Sequence, residues 1–225
     1  MRRPGAQQRP GLALIAAAVS AAALCTACGH SAPTEFLTLR AVPPAAPPAS
    51  AGVDPVRVVA VRVPAWLDRL QIARPTEGAA VVVEDFERWS APLGDLALAA
   101  LTQDLTDRLA GTTVLAAGGI APPGTRDVAV DLSTLERQGG RLELSGTATV
   151  TDAGTGALVL SLSVRLGAAA PADARSEAAA LDQLMGELAD RLASALSAPS
   201  TSRGRQAEAP RQGWQAGGEE TDGSG

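Results

Sequence analysis

The sequence predicts an α/β domain with a mixed, partly antiparallel sheet and two main amphipathic helices. Three observations lead there: the β-branched run from Val56 to Val63, side chains alternating in polarity from Asp127 to Leu166, and leucines at spacings of three and four in two separate stretches. A period of two belongs to a strand with distinct faces. A period near 3.6 belongs to a helix that buries one stripe.

In chain order, Val56 to Val63 (VRVVAVRV) is β-branched on both sides of the pleat. That suits a strand covered on both faces and central in its sheet, ended by Pro64. Ala79 to Glu84 is a second, shorter strand candidate. Ser90-Ala-Pro92-Leu93 then has the cap and early proline of a helix start. Leu98, Leu101, Leu105 and Leu109 give that helix a buried stripe as far as Ala110, with Gly111 as its stop. Thr112 to Ala116 reads as another short strand.

From Asp127 the period becomes two. Val128, Val130 and Leu132 share one face, while Asp127, Ala129 and Asp131 share the other. Gln138-Gly-Gly140 turns the chain into Leu142, Leu144, Ala148 and Val150, which alternate with Arg141, Glu143, Ser145, Thr147 and Thr149. Asp152-Ala-Gly-Thr-Gly156 turns it again into Leu158, Leu160, Leu162, Val164 and Leu166. An antiparallel meander follows from these turns. Leu181, Leu184, Met185, Leu188, Leu192 and Leu196 form the apolar stripe of a second helix able to cover that meander.

Upstream of the domain, Arg2, Arg3 and Arg9 precede the apolar run Leu12 to Leu24, the layout of a bacterial export signal. The run is shorter than the roughly 20 residues a membrane-spanning helix needs. Cys28 follows the small residues Thr26 and Ala27, as a lipoprotein signal peptidase requires; Cys25 follows bulky Leu24 and is the poorer candidate. The expectation is a signal peptide at 1–27 and an acylated Cys28, with palmitate among its chains. No Asp follows Cys28 to retain the protein at the inner membrane, so the periplasmic face of the outer membrane is the expected location.

Residues 41–55 contain two Pro-Pro pairs and almost no charge, so 28–53 is expected to act as an extended tether that holds the domain off the membrane. Residues 54–197 then form one domain of ordinary size. Residues 198–225, rich in Ser, Gly, Glu and Gln and containing Trp214, read as a disordered tail.

Composition narrows the function. Removing residues 1–27 takes three arginines and no acids, leaving 16 cations (19 minus 3) against 24 anions, a net charge of −8. Nucleic-acid binding loses its electrostatic basis. The single histidine, His30, stands beside the anchor, where neither a Ser-His-Asp device nor a histidine metal site is readily assembled. Lipidation of Cys28 leaves no other thiol for a disulfide, a metal or a nucleophile. Glu84, Asp85 and Glu87 are the densest acidic cluster; they read as a solvated segment ahead of the first helix and receive no catalytic role. Gly154-Thr-Gly156 lacks the remaining glycine and lysine of a phosphate loop and is a turn. No enzyme, cofactor or metal is expected.

Three segments resemble one family, the ABC-type transport auxiliary lipoproteins, also called PqiC- or YmbA-like. Phe36-Leu-Thr-Leu39 is similar to the family's aromatic-x-Leu opening, with Phe where Tyr is usual. Val58 to Arg74 (VVAVRVPAWLDRLQIAR) resembles its strand, Val-Pro and aromatic-Leu segment, and Glu87-Arg-Trp89-Ser-Ala-Pro-Leu93 its Arg-Trp-x-x-Pro-Leu helix start. The resemblance covers most of residues 34–197; the Ala-Pro spacer and the C-terminal tail depart from it. It implies a three-layer α/β domain. It also implies a partner, an MCE-domain protein of an ABC permease and ATPase, that moves phospholipid or other lipids between two membranes. This chain would then be the noncatalytic outer-membrane component that docks to or completes the periplasmic MCE conduit, with phospholipid and a second copy of the chain as further candidate partners.

Trp66 and Leu67 follow Pro64 in an expected loop and are the candidate partner-binding residues. The competing reading places Trp66 at one end of the core, where Trp89 is also expected. A function of another class uses the same anchor and domain: a lipoprotein that regulates or scaffolds cell-wall or outer-membrane assembly.

Overall fold

A computed structural model describes residues 33–47, 52–75 and 80–198. Cys25, Cys28, His30 and Trp214, the signal segment, and the tail beyond residue 198 lie outside the described residues. The described residues form eight strands and two helices. These are β1 (Glu35–Leu37), β2 (Val56–Arg62), β3 (Gln71–Pro75), β4 (Val81–Trp89), α1 (Leu93–Arg108), β5 (Val114–Leu115), β6 (Arg126–Gln138), β7 (Arg141–Asp152), β8 (Leu158–Ala169) and α2 (Ala174–Ser197). The α/β class holds, with both helices in their expected places. The strands divide into two mixed sheets, one of five strands ordered β5-β2-β6-β7-β8 and one of three ordered β1-β4-β3.

In the larger sheet β2 runs parallel to β5 and β6, while β6, β7 and β8 form the antiparallel meander. Its turns follow the sequence: Gly139 and Gly140 have φ of +56° and +76°, the paired left-handed conformation of a two-residue hairpin turn. The Asp152 carboxylate accepts the N–H groups of Gly154 and Thr155 at 3.1 and 2.9 Å, which closes the next turn. Val128, Val130, Leu144, Ala148 and Val150 are fully buried under the helices. Asp131, Arg141, Glu143, Ser161 and Ser163 are exposed on the opposite face.

The strand β2 lies between two neighbours, but two-sided burial does not explain its valines. A bulge between Val58 and Ala60 resets the alternation, so Val56, Val58 and Val61 are all buried. The other side carries charge. Arg57 and Arg62 stand opposite Asp127 and Asp131 on β6 and pair with them at 2.7 and 3.0 Å.

The helix α1 ends at Arg108 rather than Ala110, and Gly111, with φ of +81°, turns the chain away as expected. Leu101, Leu105 and Leu109 are buried, joined by Leu93, Ala97 and Ala100, whereas Leu98 is only half-buried. Ser90 does not cap α1: its N–H donates to the Leu37 carbonyl. The cap comes from elsewhere, since Asp68 Oδ1 accepts the Gly94 N–H at 3.1 Å, with its negative charge at the positive end of the helix. Asp173 caps α2 locally, accepting the Ser176 N–H at 2.8 Å. The strand expected at 112–116 is reduced to the two residues of β5.

The proposed tether needs the largest correction. Residues 35–37 are already a strand of the domain, Leu39 is buried, and the Arg40 N–H donates to Asp182 on α2 at 2.9 Å. The Val42 N–H donates to Asp104 on α1 at 2.8 Å, and Arg108 donates to the Val42 carbonyl at 3.0 Å. The chain is therefore docked on the helix pair as far as Val42, the second residue of the Pro-rich stretch, while Pro43 and residues 45–47 are exposed.

Candidate functional site

The smaller sheet brings together residues from three distant parts of the chain. Strand β1 pairs in parallel with the end of β4, with Glu35 opposite Glu87, Phe36 opposite Arg88 and Leu37 opposite Trp89. Alternation then assigns the faces. Trp89 is 3% exposed and Leu37 packs against the core, so their side faces inward. Phe36, Arg88 and Phe86 face outward, and Gln71 of β3 joins them opposite Arg88.

This outer face is apolar to an unusual degree. Phe36 is 65% exposed and Phe86 48%, and these are the two phenylalanines of the entire chain. A register shift separates Arg88 from the start of β4, where Val83 and Val81 stand opposite Ala73 and Pro75 on the side of Gln71 and continue the exposed surface; Val82 stands opposite Arg74. Scattered surface apolar residues need no explanation, but a contiguous group on one sheet face marks a contact site. A chain this poor in aromatic residues that leaves both phenylalanines uncovered has a surface built for something apolar.

Behind this face, Arg74 of β3 holds three carboxylates: Glu84 at 2.5 Å, Glu177 at 3.0 Å and Glu87 at 3.5 Å. Arg137 reaches the same Glu177 at 2.6 Å. The Glu84–Glu87 cluster thus lies in a strand rather than a solvated approach to a helix, and two of its members neutralise Arg74. Asp85 alone of the three is exposed. The cluster fastens the small sheet to the start of α2 and leaves no carboxylate pair facing an open site. Deeper in, a cavity of about 20 Å³ is bordered by Leu67, Ile72, Trp89, Leu135, Leu142 and Leu181. That is room for about one water, far below the ~300 Å³ at which ligand pockets begin.

A second feature is a cleft of about 410 Å³ beside β2. The short β5 pairs only with Val56 and Arg57, and the cleft borders Val59 to Val63, together with Asp68, Gly94 and Leu98 from the start of α1. Trp66 sits in the loop between two lining residues, Ala65 and Asp68, and is half-buried against the core. Leu67 is 7% exposed and belongs to the core itself. The two residues singled out together therefore part company: Leu67 is a packing residue, and Trp66 retains an accessible side near the cleft.

The strand legible in the sequence at Ala79 to Glu84 stops short of Phe86, so local spacing assigns Phe86 no face. Once residues 81–89 are recognised as a strand, the odd spacing of Phe86 from buried Trp89 puts them on opposite faces. Among the described residues, no cluster of three or more His, Cys, Asp or Glu is placed to hold a metal, and no helix is long and apolar enough to cross a membrane.

A family model described as the ABC-type transport auxiliary lipoprotein component matches residues 37–193. A crystal structure of an uncharacterized protein is similar in fold, with a TM-score of 0.57 at 17% identity, covering 73% of this chain and 99% of that one. A protein from Xanthomonas campestris of the DUF330 family gives a TM-score of 0.55 at 17% identity, covering 71% of this chain and 92% of its own. No curated protein matches the chain in sequence.

Proposed function

We propose that this chain, which belongs to the family of ABC-type transport auxiliary lipoprotein components, is the outer-membrane part of an intermembrane lipid transporter. In this reading Cys28 is the acylated anchor on the periplasmic face, and the domain docks to a periplasmic MCE protein whose ABC permease and ATPase supply the energy. The chain itself does no chemistry. The family match across residues 37–193 carries the reading. Geometry supports a binding role, because the Glu84–Glu87 carboxylates and Arg74 satisfy one another and the enclosed cavity at their back is water-sized.

The MCE partner docks along the β2 cleft, with Trp66 at its border. A half-buried tryptophan beside a free strand edge offers both apolar area and backbone hydrogen bonds. The anchor is tested by labelling with a fatty-acid probe: Cys28→Ala should abolish labelling, and Cys25→Ala should leave it intact. Function is tested by epistasis. Deleting this gene should reproduce the envelope defect of deleting the MCE gene, with little added in the double deletion. Clearly additive defects would place the two proteins in separate pathways, as the scaffold alternative requires.

A further inference from the structure

We infer that the outer face of the small sheet, formed by Phe36, Phe86, Val81 and Val83 around Arg88, rests on the phospholipid surface of the membrane that carries the anchor. The inference deepens the proposed function and rests on Cys28 being acylated.

Chain length is the first argument. Phe36 follows Cys28 by eight residues, which span at most about 29 Å when fully extended. That is about the thickness of one hydrocarbon core. Because β1 is docked in the domain and the Pro-rich stretch comes after it, the anchor leads directly into the sheet whose outer face is apolar. The connection keeps Phe36 within about 29 Å of the anchor, whichever partner the rest of the domain meets.

Charge is the second argument. Most arginines in the domain are engaged: Arg57, Arg62, Arg74, Arg108, Arg126, Arg137, Arg175 and Arg191 all form ion pairs. Arg88 is different. It lies on the outer face between Phe36 and Gln71, half-buried, with its Nε buried and without a hydrogen-bond partner. A guanidinium without a carboxylate, opposite Phe36 and two residues from Phe86 on the same strand, matches a phosphate headgroup above acyl chains. A protein partner built for this face would need a carboxylate to meet Arg88; a phospholipid leaflet presents its phosphates everywhere.

The test uses the full-length, acylated protein. With Cys28 blocked by lipid, a single added cysteine in Phe36→Cys, Phe86→Cys or Ile120→Cys can carry an environment-sensitive NBD label. Ile120 is 94% exposed in the loop between β5 and β6 and serves as the reference. The proteins are reconstituted into phosphatidylethanolamine/phosphatidylglycerol vesicles containing spin-labelled lipid. We expect blue-shifted emission and several-fold stronger quenching at positions 36 and 86 than at 120. Replacing Arg88 by Gln should lower quenching at position 86 in these vesicles, with the melting temperature unchanged. Quenching at 36 and 86 no greater than at 120, in protein that floats with the vesicles, overturns the inference while the anchor stands. Protein that neither floats nor carries acyl chains removes the anchor and the inference together. Emission already blue-shifted without lipid, or shifted only on addition of the MCE protein, assigns the face to a second copy or to that partner and overturns it too.

Discussion

Asp104 and Val42 are 62 residues apart, yet the buried Asp104 Oδ1 accepts the Val42 N–H at 2.8 Å. The same carboxylate meets Arg108 one helical turn later at 3.1 Å, and Arg108 also grips the Val42 carbonyl and Asp190 of α2. This knot joins the N-terminal segment to both helices. It fits because Gly186 of α2 has no side chain: a Cβ there would stand 3.1 Å from Val42 Cβ and 3.2 Å from Arg108 Nη2.

Removing Asp104 should therefore unfasten the N-terminal segment as well as destabilise α1. Asp104→Ala leaves Arg108, 3% exposed, with the half-buried Asp190 as its one carboxylate partner, and the loss of one partner from a buried ion pair costs about 3–5 kcal/mol. Asp104→Asn keeps an acceptor for Val42 and should cost less. Urea unfolding measures both. An alanine variant as stable as the parent would show that the knot is dispensable.

Acid should act on this domain in two separate pH ranges. Side-chain and backbone donors of Ser176 hold Asp173 below its ordinary value of 3.8. Its contribution is complete above that value and disappears as pH falls through the lowered native one. Asp104 and Asp182 are displaced the other way by burial, so the native state retains their protons longer than the unfolded chain. Their contribution declines as pH rises from 3.8 through the raised native values. Asp173→Ala should flatten the stability curve below 3.8, and Asp182→Asn should flatten the decline above it. Parallel curves for the parent and both variants would contradict these assignments.

Gly146 should tolerate no side chain. It sits where the β6–β7 register slips between Leu132 and Thr134, and a Cβ there would lie 2.4 Å from the Asp131 carbonyl oxygen and 3.0 Å from Leu132 Cα. Both are backbone atoms of the central ladder, so relief requires the strands to part. Gly146→Ala is expected to cost at least the ~1–3 kcal/mol of ordinary overpacking. Gly154→Ala is the control, because its Cβ would meet only the Asp152 carboxylate at 3.5 Å. Equal thermal stability of the two variants would refute the close approach.

Leu67 and Trp66 should respond differently to truncation. Leu67→Ala opens a core cavity and should cost about 2–5 kcal/mol. Trp66→Ala loses only part of a buried side chain, so its stability loss should be smaller while recovery of the MCE partner falls. Melting temperature and copurification, measured on both variants, separate the roles. Undiminished partner recovery with Trp66→Ala would take that residue out of the docking surface.

The meander and both helices were legible because their signals are local. Alternation from Asp127 to Leu166, glycines at 139, 140 and 156, and the leucines of α2 each depend on residues a few positions apart, and backbone geometry converts those spacings directly into faces and turns. The candidate surface depended on distant partners. The strand legible as far as Glu84 extends to Trp89 only because Glu35 to Leu37 pair with Glu87 to Trp89, about 50 residues later in the chain. Without that pairing, Trp89 reads as a helix start and Phe86 has no assigned face. The capping of α1 by Asp68 and the clamping of Val42 by Asp104 were equally hidden, since a carboxylate's partner is set by where the folded backbone brings a donor. The sequence by itself determined the class, the meander and the two helices. Only the tertiary structure decided that the described strands divide into two sheets, that residues 35–42 of the expected tether are docked, and that both phenylalanines are left on the surface, because each of these depends on contacts between residues that no local period connects.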